Sequence, residues 1–287
     1  TQRDKGYLIL ASEEINSGSD PSELACTASM SIDRDAVEYN MRHKNRGLAL
    51  IFNHENFDVP TLEPRTGTNV DCENLTQVLK KLDFDVNVFK DCRLNELKQQ
   101  LVSASQKDHS ENDCILVAIL SHGEHGYIYA KDVQYKLDAI WSYFTPQKCP
   151  SLAGKPKLFF IQACQGDECD PGVTLNRRTE TDGDSSMSYK IPLHADFLIA
   201  HSTMPGFCSF RCPMQGSWFI HALCTELEMN GKRLDMFTLL TFVCRRVAVD
   251  YQSYAPDTPK KHEQKQIPCI TSRLMRILRF REKRALQ

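Results

Sequence analysis

The sequence predicts an α/β fold, a three-layer sandwich with a mostly parallel central sheet covered by helices. Two observations carry this prediction. Several short runs, Leu48–Phe52, Cys114–Leu120, Leu158–Ile161 and Phe197–Ala200, are apolar throughout rather than alternating, as expected of strands buried on both faces. Segments with helical periodicity separate some of them, which is the pattern of crossover connections between parallel strands.

In chain order, residues 1–38 lack sustained periodicity and contain the turn-forming run Asn16-Ser17-Gly18-Ser19-Asp20-Pro21, so they read as a flexible leader. The first strand, Leu48–Phe52, follows. Leu75, Val78, Leu79 and Leu82 then share one helical face, behind Asn69, Asp71 and Glu73. Phe84–Phe89 alternates as a strand does, and Leu94–Leu101 reads as a second helix. After the strands at Cys114–Leu120 and Leu158–Ile161, residues 167–190 turn polar and lose periodicity, an exposed linker long enough to have a purpose. Order returns at Phe197–Ala200, followed by helices over Ser217–Met229 and Asp235–Val249. Ile267–Ile270 fits a last strand. Leu274, Ile277 and Leu278 fit either a helix or the lining of an interface, and Arg279, Arg281, Lys283 and Arg284 read as a solvated basic end.

Composition narrows the function class. Hydrophobic residues at 41% and charged residues at 25% are an ordinary globular balance, and a net charge of −2 gives no global attraction to nucleic acid or anionic lipid. No run reaches the length of a membrane span, and the apolar start, Tyr7–Ala11, is too short for a signal-peptide core, which favours the cytosol or nucleus. The twelve cysteines are irregularly spaced, several within apolar runs, and read as reduced thiols. Cys164, Cys169, Cys208 and Cys212 superficially allow a zinc site, but their spacing is looser than that of structural knuckles and would consume Cys164. No cofactor or metal is expected.

Chemistry concentrates at two strand ends. His122-Gly123 follows the strand Cys114–Leu120, and Cys164 stands three residues beyond Ile161. Ligands of open parallel sheets bind beyond the carboxyl ends of the strands. A thiol there is a nucleophile, an imidazole can take its proton and return it to a leaving amine, and the N–H groups of Gly123 and Cys164 could bind an oxyanion. Taken singly, a cysteine after a strand is commonly a packing thiol and a histidine there ordinary surface. The pairing favours a thiol enzyme without deciding it.

The surrounding motifs decide more. QACQG around Cys164, together with GLALIFNHENF, RTGTNVD, LSHGEHGYIYAKD, KPKLFFIQACQG, ADFLIAHST, GSWF and TLLTFV, resembles the caspase family in the family's order, from about Tyr39 to Phe280. The TETDG and QKQIPCITS segments look most like insect effector caspases. The resemblance implies a caspase-like sandwich and a cysteine endopeptidase cutting after aspartate, with Cys164 as nucleophile, His122 as base and Gly123 in the oxyanion site. It implies an aspartate pocket of Arg65, Gln162 and Arg211, a strand-pairing site at Ser209, and a subsite floored by Trp218. Arginine forks suit a carboxylate because they donate two fixed, charge-assisted hydrogen bonds. The carbonyl of Glu63 occupies the place that orients the histidine.

One stretch departs from the family. Where caspases carry Tyr-Ser-Trp-Arg-Asn, this chain has Cys208-Ser209-Phe210-Arg211-Cys212 followed by Pro213. Smaller side chains at 208 and 210 predict a wider, weaker pocket for the residue before aspartate. The resemblance further implies cleavage after Asp182, by an upstream initiator caspase, into a large part (39–182) and a small part (183–287) of one catalytic domain. Asp35, followed by Ala36, is the preferred leader-cleavage site over Asp20 and Asp33. A homodimer built on the last strand is implied, as are protein substrates and contact with inhibitor-of-apoptosis proteins. The alternative is a catalytically weak paralogue that regulates other caspases by binding them.

Overall fold

The computed structural model describes residues 35–172 and 194–283. Asp182, Asp20, Asp33 and most of the linker lie outside the described residues, while Asp35 sits in a solvent-exposed turn. The elements run β1 (Leu48–Asn53), α1 (Thr68–Lys81), β2 (Asp85–Lys90), α2 (Leu94–Ser105), β3 (Ile115–Leu120), the short strands β4 (Gly123–Glu124), β5 (Tyr127–Tyr129) and β6 (Gln134–Lys136), and α3 (Asp138–Trp141). They continue with β7 (Lys157–Gln162), β8 (Phe197–His201), β9 (Arg211–Cys212), β10 (Gly216–Ser217), α4 (Trp218–Asn230), α5 (Met236–Asp250) and β11 (Cys269–Ser272).

The main sheet has six strands in the order β11-β8-β7-β3-β1-β2, parallel except for antiparallel β11 at one edge. The apolar runs are explained by its two faces. Leu116, Ala118 and Leu120 of β3 enter one core with α1, α4 and α5, while Ile115, Val117 and Ile119 enter the other with α2 and α3. All six are fully buried, each side chain of Leu or Ile size being worth about 1.5–3 kcal/mol. Edge strand β2 is only partly covered, with Val86 packed against one core and Phe89 against the other while Val88 is 45% exposed.

Two expectations for the chain end, the start of the last strand and a purely solvated basic end, are corrected, and of the two readings open for Leu274, Ile277 and Leu278 the helix is excluded. The last strand begins at Cys269 rather than Ile267, because Gln266 is drawn into side-chain bonds with Ser202 and Phe210. Residues 274–283 form no helix. They return along the molecule as extended chain, with Ile277 bridged to Glu38 and with Leu278 and Phe280 buried in the core beneath α1. The basic end is not merely solvated: Arg279 and Arg281 pair with Glu38, and Lys283 pairs with the buried carboxylate of Asp113, which also holds Arg46 at 2.9 Å.

This ion-paired end of the sheet contains a tight crossing. Gly47 adopts φ +130°, and a Cβ there would lie 1.8 Å from the Cys114 carbonyl oxygen. Gly47→Ala is therefore expected to lower unfolding free energy by about 3 kcal/mol, from a left-handed backbone and a clash with main chain. Urea titration of the two proteins checks it.

Candidate active site

Parallel pairing sets the site's frame. β3 and β7 are in register up to Leu120 opposite Gln162, and His122 and Cys164 each stand two residues further on. The ladder is prolonged by Ser121 N–H donating to the Gln162 carbonyl at 3.0 Å. The two side chains therefore leave neighbouring strands at the same level. Gly123 lies against the Cys164 backbone, since a Cβ there would meet the Cys164 carbonyl oxygen at 2.8 Å.

His122 Nε2 lies 2.8 Å from the Glu63 carbonyl oxygen. A carbonyl only accepts, so Nε2 carries the proton and Nδ1 is the free base. Phe57 packs on the imidazole at 4.9 Å between ring centroids. Burial, with smaller contributions from the positive charges of Arg65 and Arg211, lowers the His122 pKa, although the Glu63 bond works in the opposite direction. The imidazole thus stays neutral to lower pH than an ordinary histidine. The acid limb of kcat/KM is expected to fall below the usual histidine range. In substrate-free protein, NMR titration of His122 should show its pKa rising when Arg211→Gln removes one cation.

The Gly123 N–H is left out of its own ladder. In the β4–β5 ladder Tyr129 N–H donates to the His122 carbonyl, and Gly123 stands opposite Ile128. That makes Gly123–Ile128 a non-hydrogen-bonded pair, so the Gly123 N–H points away from β5.

Arg65, Gln162 and Arg211 converge beside Cys164. Arg65 is 1% exposed, its Nη1 donating to the His54 carbonyl at 3.0 Å and to Thr68 Oγ1 at 2.6 Å. Its Nη2 is buried without a partner. Burial, and then the neighbouring Arg211 charge, push its pKa down to about 9. Arg211 Nε donates to the Thr66 carbonyl at 2.8 Å, and burial lowers its pKa as well. Gln162 Nε2 donates to Ser209 Oγ at 2.9 Å, while its Oε1 has no partner. Two crowded, desolvated cations with an unused donor form a strong attraction for a carboxylate.

The loop at 206–210 lies across Cys164. Ser209 N–H donates to Cys164 Sγ at 3.3 Å, so this backbone group, expected to pair with an added strand, is engaged by the thiol instead. Phe210 N–H donates to Gln266 Oε1 at 2.7 Å. The Phe210 ring lies flat on Trp218 at 4.6 Å, with Tyr251 on Trp218 at 5.5 Å. Trp218 is 9% exposed and serves the core as well as this stack. Cys208 meets Cys169, with the sulfurs 3.4 Å apart. Every cysteine among the described residues is a free thiol.

Sequence reasoning missed Asp71 as a site residue. It is 1% exposed, accepts from Ser217 N–H at 2.7 Å and from the Ser217 hydroxyl, and lies close enough to Arg65 and Arg211 for their charges to act on it. Burial nonetheless raises its pKa to about 6. The signal was available, because Asp71 precedes Leu75 by four residues and Val78 by seven, on the apolar face of α1. Gln266, which ties Phe210 to Ser202, carried no comparable mark.

Comparison with known proteins now bears on the site. A family model described as "Caspase domain" matches residues 46–278. The chain belongs to the caspase family. As a caspase it is a cysteine-type endopeptidase. It is 70% identical over 257 residues to Caspase drICE of Drosophila melanogaster, covering 89% of this chain and 76% of that one. It is 57% identical over 270 residues to Caspase-1 of Spodoptera frugiperda, covering 94% and 89% respectively. The crystal structure of Spodoptera frugiperda Caspase-1 superposes with a TM-score of 0.84 at 56% identity, covering 90% of this chain and all of that one. The insect resemblance and the caspase-like α/β sandwich read from the sequence are therefore correct. Among the described residues, no helix of this caspase is long and apolar enough to cross a membrane.

Proposed function

We propose that this caspase hydrolyses protein substrates after aspartate and acts as an effector protease in apoptosis, after cleavage of its own linker at Asp182. Cys164 is the nucleophile, His122 Nδ1 the base, and the N–H groups of Gly123 and Cys164 the oxyanion donors. Arg65, Gln162 and Arg211 hold the aspartate, and a substrate strand takes the Ser209 N–H from the Cys164 sulfur. The observation carrying this reading is the buried, partly unpartnered Arg65 beside Arg211 and Cys164, a site whose charge demands an acid. Homodimerisation through the β11 edge, leader removal after Asp35, contact with inhibitor-of-apoptosis proteins and a cytosolic or nuclear location belong to the same reading. It needs no cofactor.

A weakly catalytic, regulatory caspase is the second reading, and one observation favours it: the Ser209 N–H is engaged by the Cys164 sulfur rather than left for a substrate strand. The test is hydrolysis of aspartyl, glutamyl and asparaginyl peptides by protein cut after Asp182, beside a Cys164→Ala control. Cutting confined to aspartyl peptides supports the protease. No cutting by a correctly processed dimer supports the regulator.

A further inference from the structure

Cys169, near the start of the linker, and Cys208, beyond its end, are far apart in sequence but adjacent in space. Glu168 N–H donates to the Gly206 carbonyl at 3.0 Å and Cys208 N–H to the Glu168 carbonyl at 2.9 Å, which defines a parallel bridge between Glu168 and Phe207. One step further in this register, Cys169 faces Cys208. Neighbouring parallel strands place such partners about 4.8 Å apart at Cα, inside the range of about 4.4–6.8 Å that a disulfide spans. Both backbone placement and the 3.4 Å approach of the sulfurs bring this pair together.

We propose that Cys169 and Cys208 are a redox-responsive dithiol that closes to a disulfide, latching the segment after the nucleophile to the loop that covers it. Glutathione disulfide suffices as oxidant. Cys169, as thiolate, attacks one of its sulfurs, forming a mixed disulfide and releasing one glutathione. The Cys208 sulfur then gives up its proton and displaces the second glutathione from Cys169. Two protein thiols are oxidised by two electrons, and one glutathione disulfide is reduced to two thiols. Burial and the adjoining sulfurs raise the Cys208 thiol pKa, and the same electron and proton balance holds if Cys208 makes the first attack. Ser209 follows Cys208 directly and has its N–H on Cys164 Sγ, so the closed latch holds that backbone against the nucleophile. Because Cys169 precedes residues 173–193 and Cys208 follows them, the same bond joins the two fragments of a cut chain.

The test does not depend on catalysis, so its failure is separable from failure of the protease reading. A site-specific protease sequence is placed within residues 177–183, the protein is cut there, and it is equilibrated in glutathione buffers of increasing oxidised fraction. The expected result is that the fragments run as one species on a non-reducing gel and separate after dithiothreitol. Peptide mapping of the unaltered, full-length protein should show Cys169 joined to Cys208 and Cys164 unjoined. The link should vanish in Cys169→Ser, and iodoacetamide should alkylate Cys164 several-fold more slowly in the linked form. Fragments that separate without reductant at every ratio, a link from Cys208 to Cys164, or unchanged Cys164 alkylation each overturn the latch.

Discussion

Cys164→Ala is expected to reduce kcat/KM for aspartyl peptides by at least about 10⁴ while leaving the melting temperature within about 2 °C of the parent. The size follows from the division of labour at thiol and hydroxyl nucleophiles: what remains after their removal is water attack assisted by oxyanion donors and binding. The small structural effect follows from what the sulfur touches. Cys164 is only partly buried, and Sγ meets the Ser209 N–H at 3.3 Å and the Ser209 carbonyl at 3.8 Å. Neither contact fixes β3, β7 or the buried arginine. Removing the sulfur also frees the Ser209 N–H, so an aspartyl peptide is expected to bind the variant no more weakly than the parent. Initial rates, thermal melting and peptide titration by fluorescence anisotropy check the three parts. A variant that retains more than about one-hundredth of parental activity would mean another nucleophile.

The sequence made the fold legible where burial is complete. Leu48–Phe52, Cys114–Leu120 and Leu158–Ile161 read as strands because both sides of each pack against helices, and α1 and α5 read as helices because their buried residues recur on one face. The strands of two or three residues, β4–β6 and β9–β10, are too short to establish a period. The chain end misled for a different reason: Leu278 and Phe280 bury their side chains from an extended segment, so spacing alone could not separate helix from coil. The placement of Cys164 and His122 at neighbouring strand ends was legible because the apolar runs mark the strands and parallel register levels them. Arg65 and Arg211 were not: in sequence an arginine is ordinarily surface, only the family resemblance singled these two out, and only the structure shows Arg65 buried with Nη2 unpartnered. Asp71 shows the converse error, a charged residue on an apolar helical face that pattern reading passed over. The Cys169–Cys208 contact joins residues 39 apart and rests on loop backbone that carries no periodic signal.

Arg65→Met is expected to separate activity from stability. Two charge-assisted hydrogen bonds to a carboxylate, each worth about 1.5–3 kcal/mol, disappear, so kcat/KM on aspartyl peptides should fall about 10³-fold. The preference for aspartyl over asparaginyl peptides should collapse with it. Stability is expected to hold or rise. In the substrate-free protein Arg65 is a desolvated cation facing a second cation, with Asp71 as a distant partial counterweight and Nη2 unsatisfied. Removing a poorly compensated buried charge recovers several kcal/mol of desolvation. The cost is two donors, and Thr68 Oγ1, one of the groups that loses an Arg65 N–H, still donates to Asn53 Oδ1 at 2.7 Å. Arg65→Lys distinguishes charge from geometry, since it keeps a cation but lacks the fork, and should recover part of the aspartate preference and little of the rate. Matched peptide kinetics and urea titration measure both sides. If Arg65→Met unfolds earlier than the parent and still prefers aspartate, Arg65 belongs to the scaffold and the carboxylate is held elsewhere.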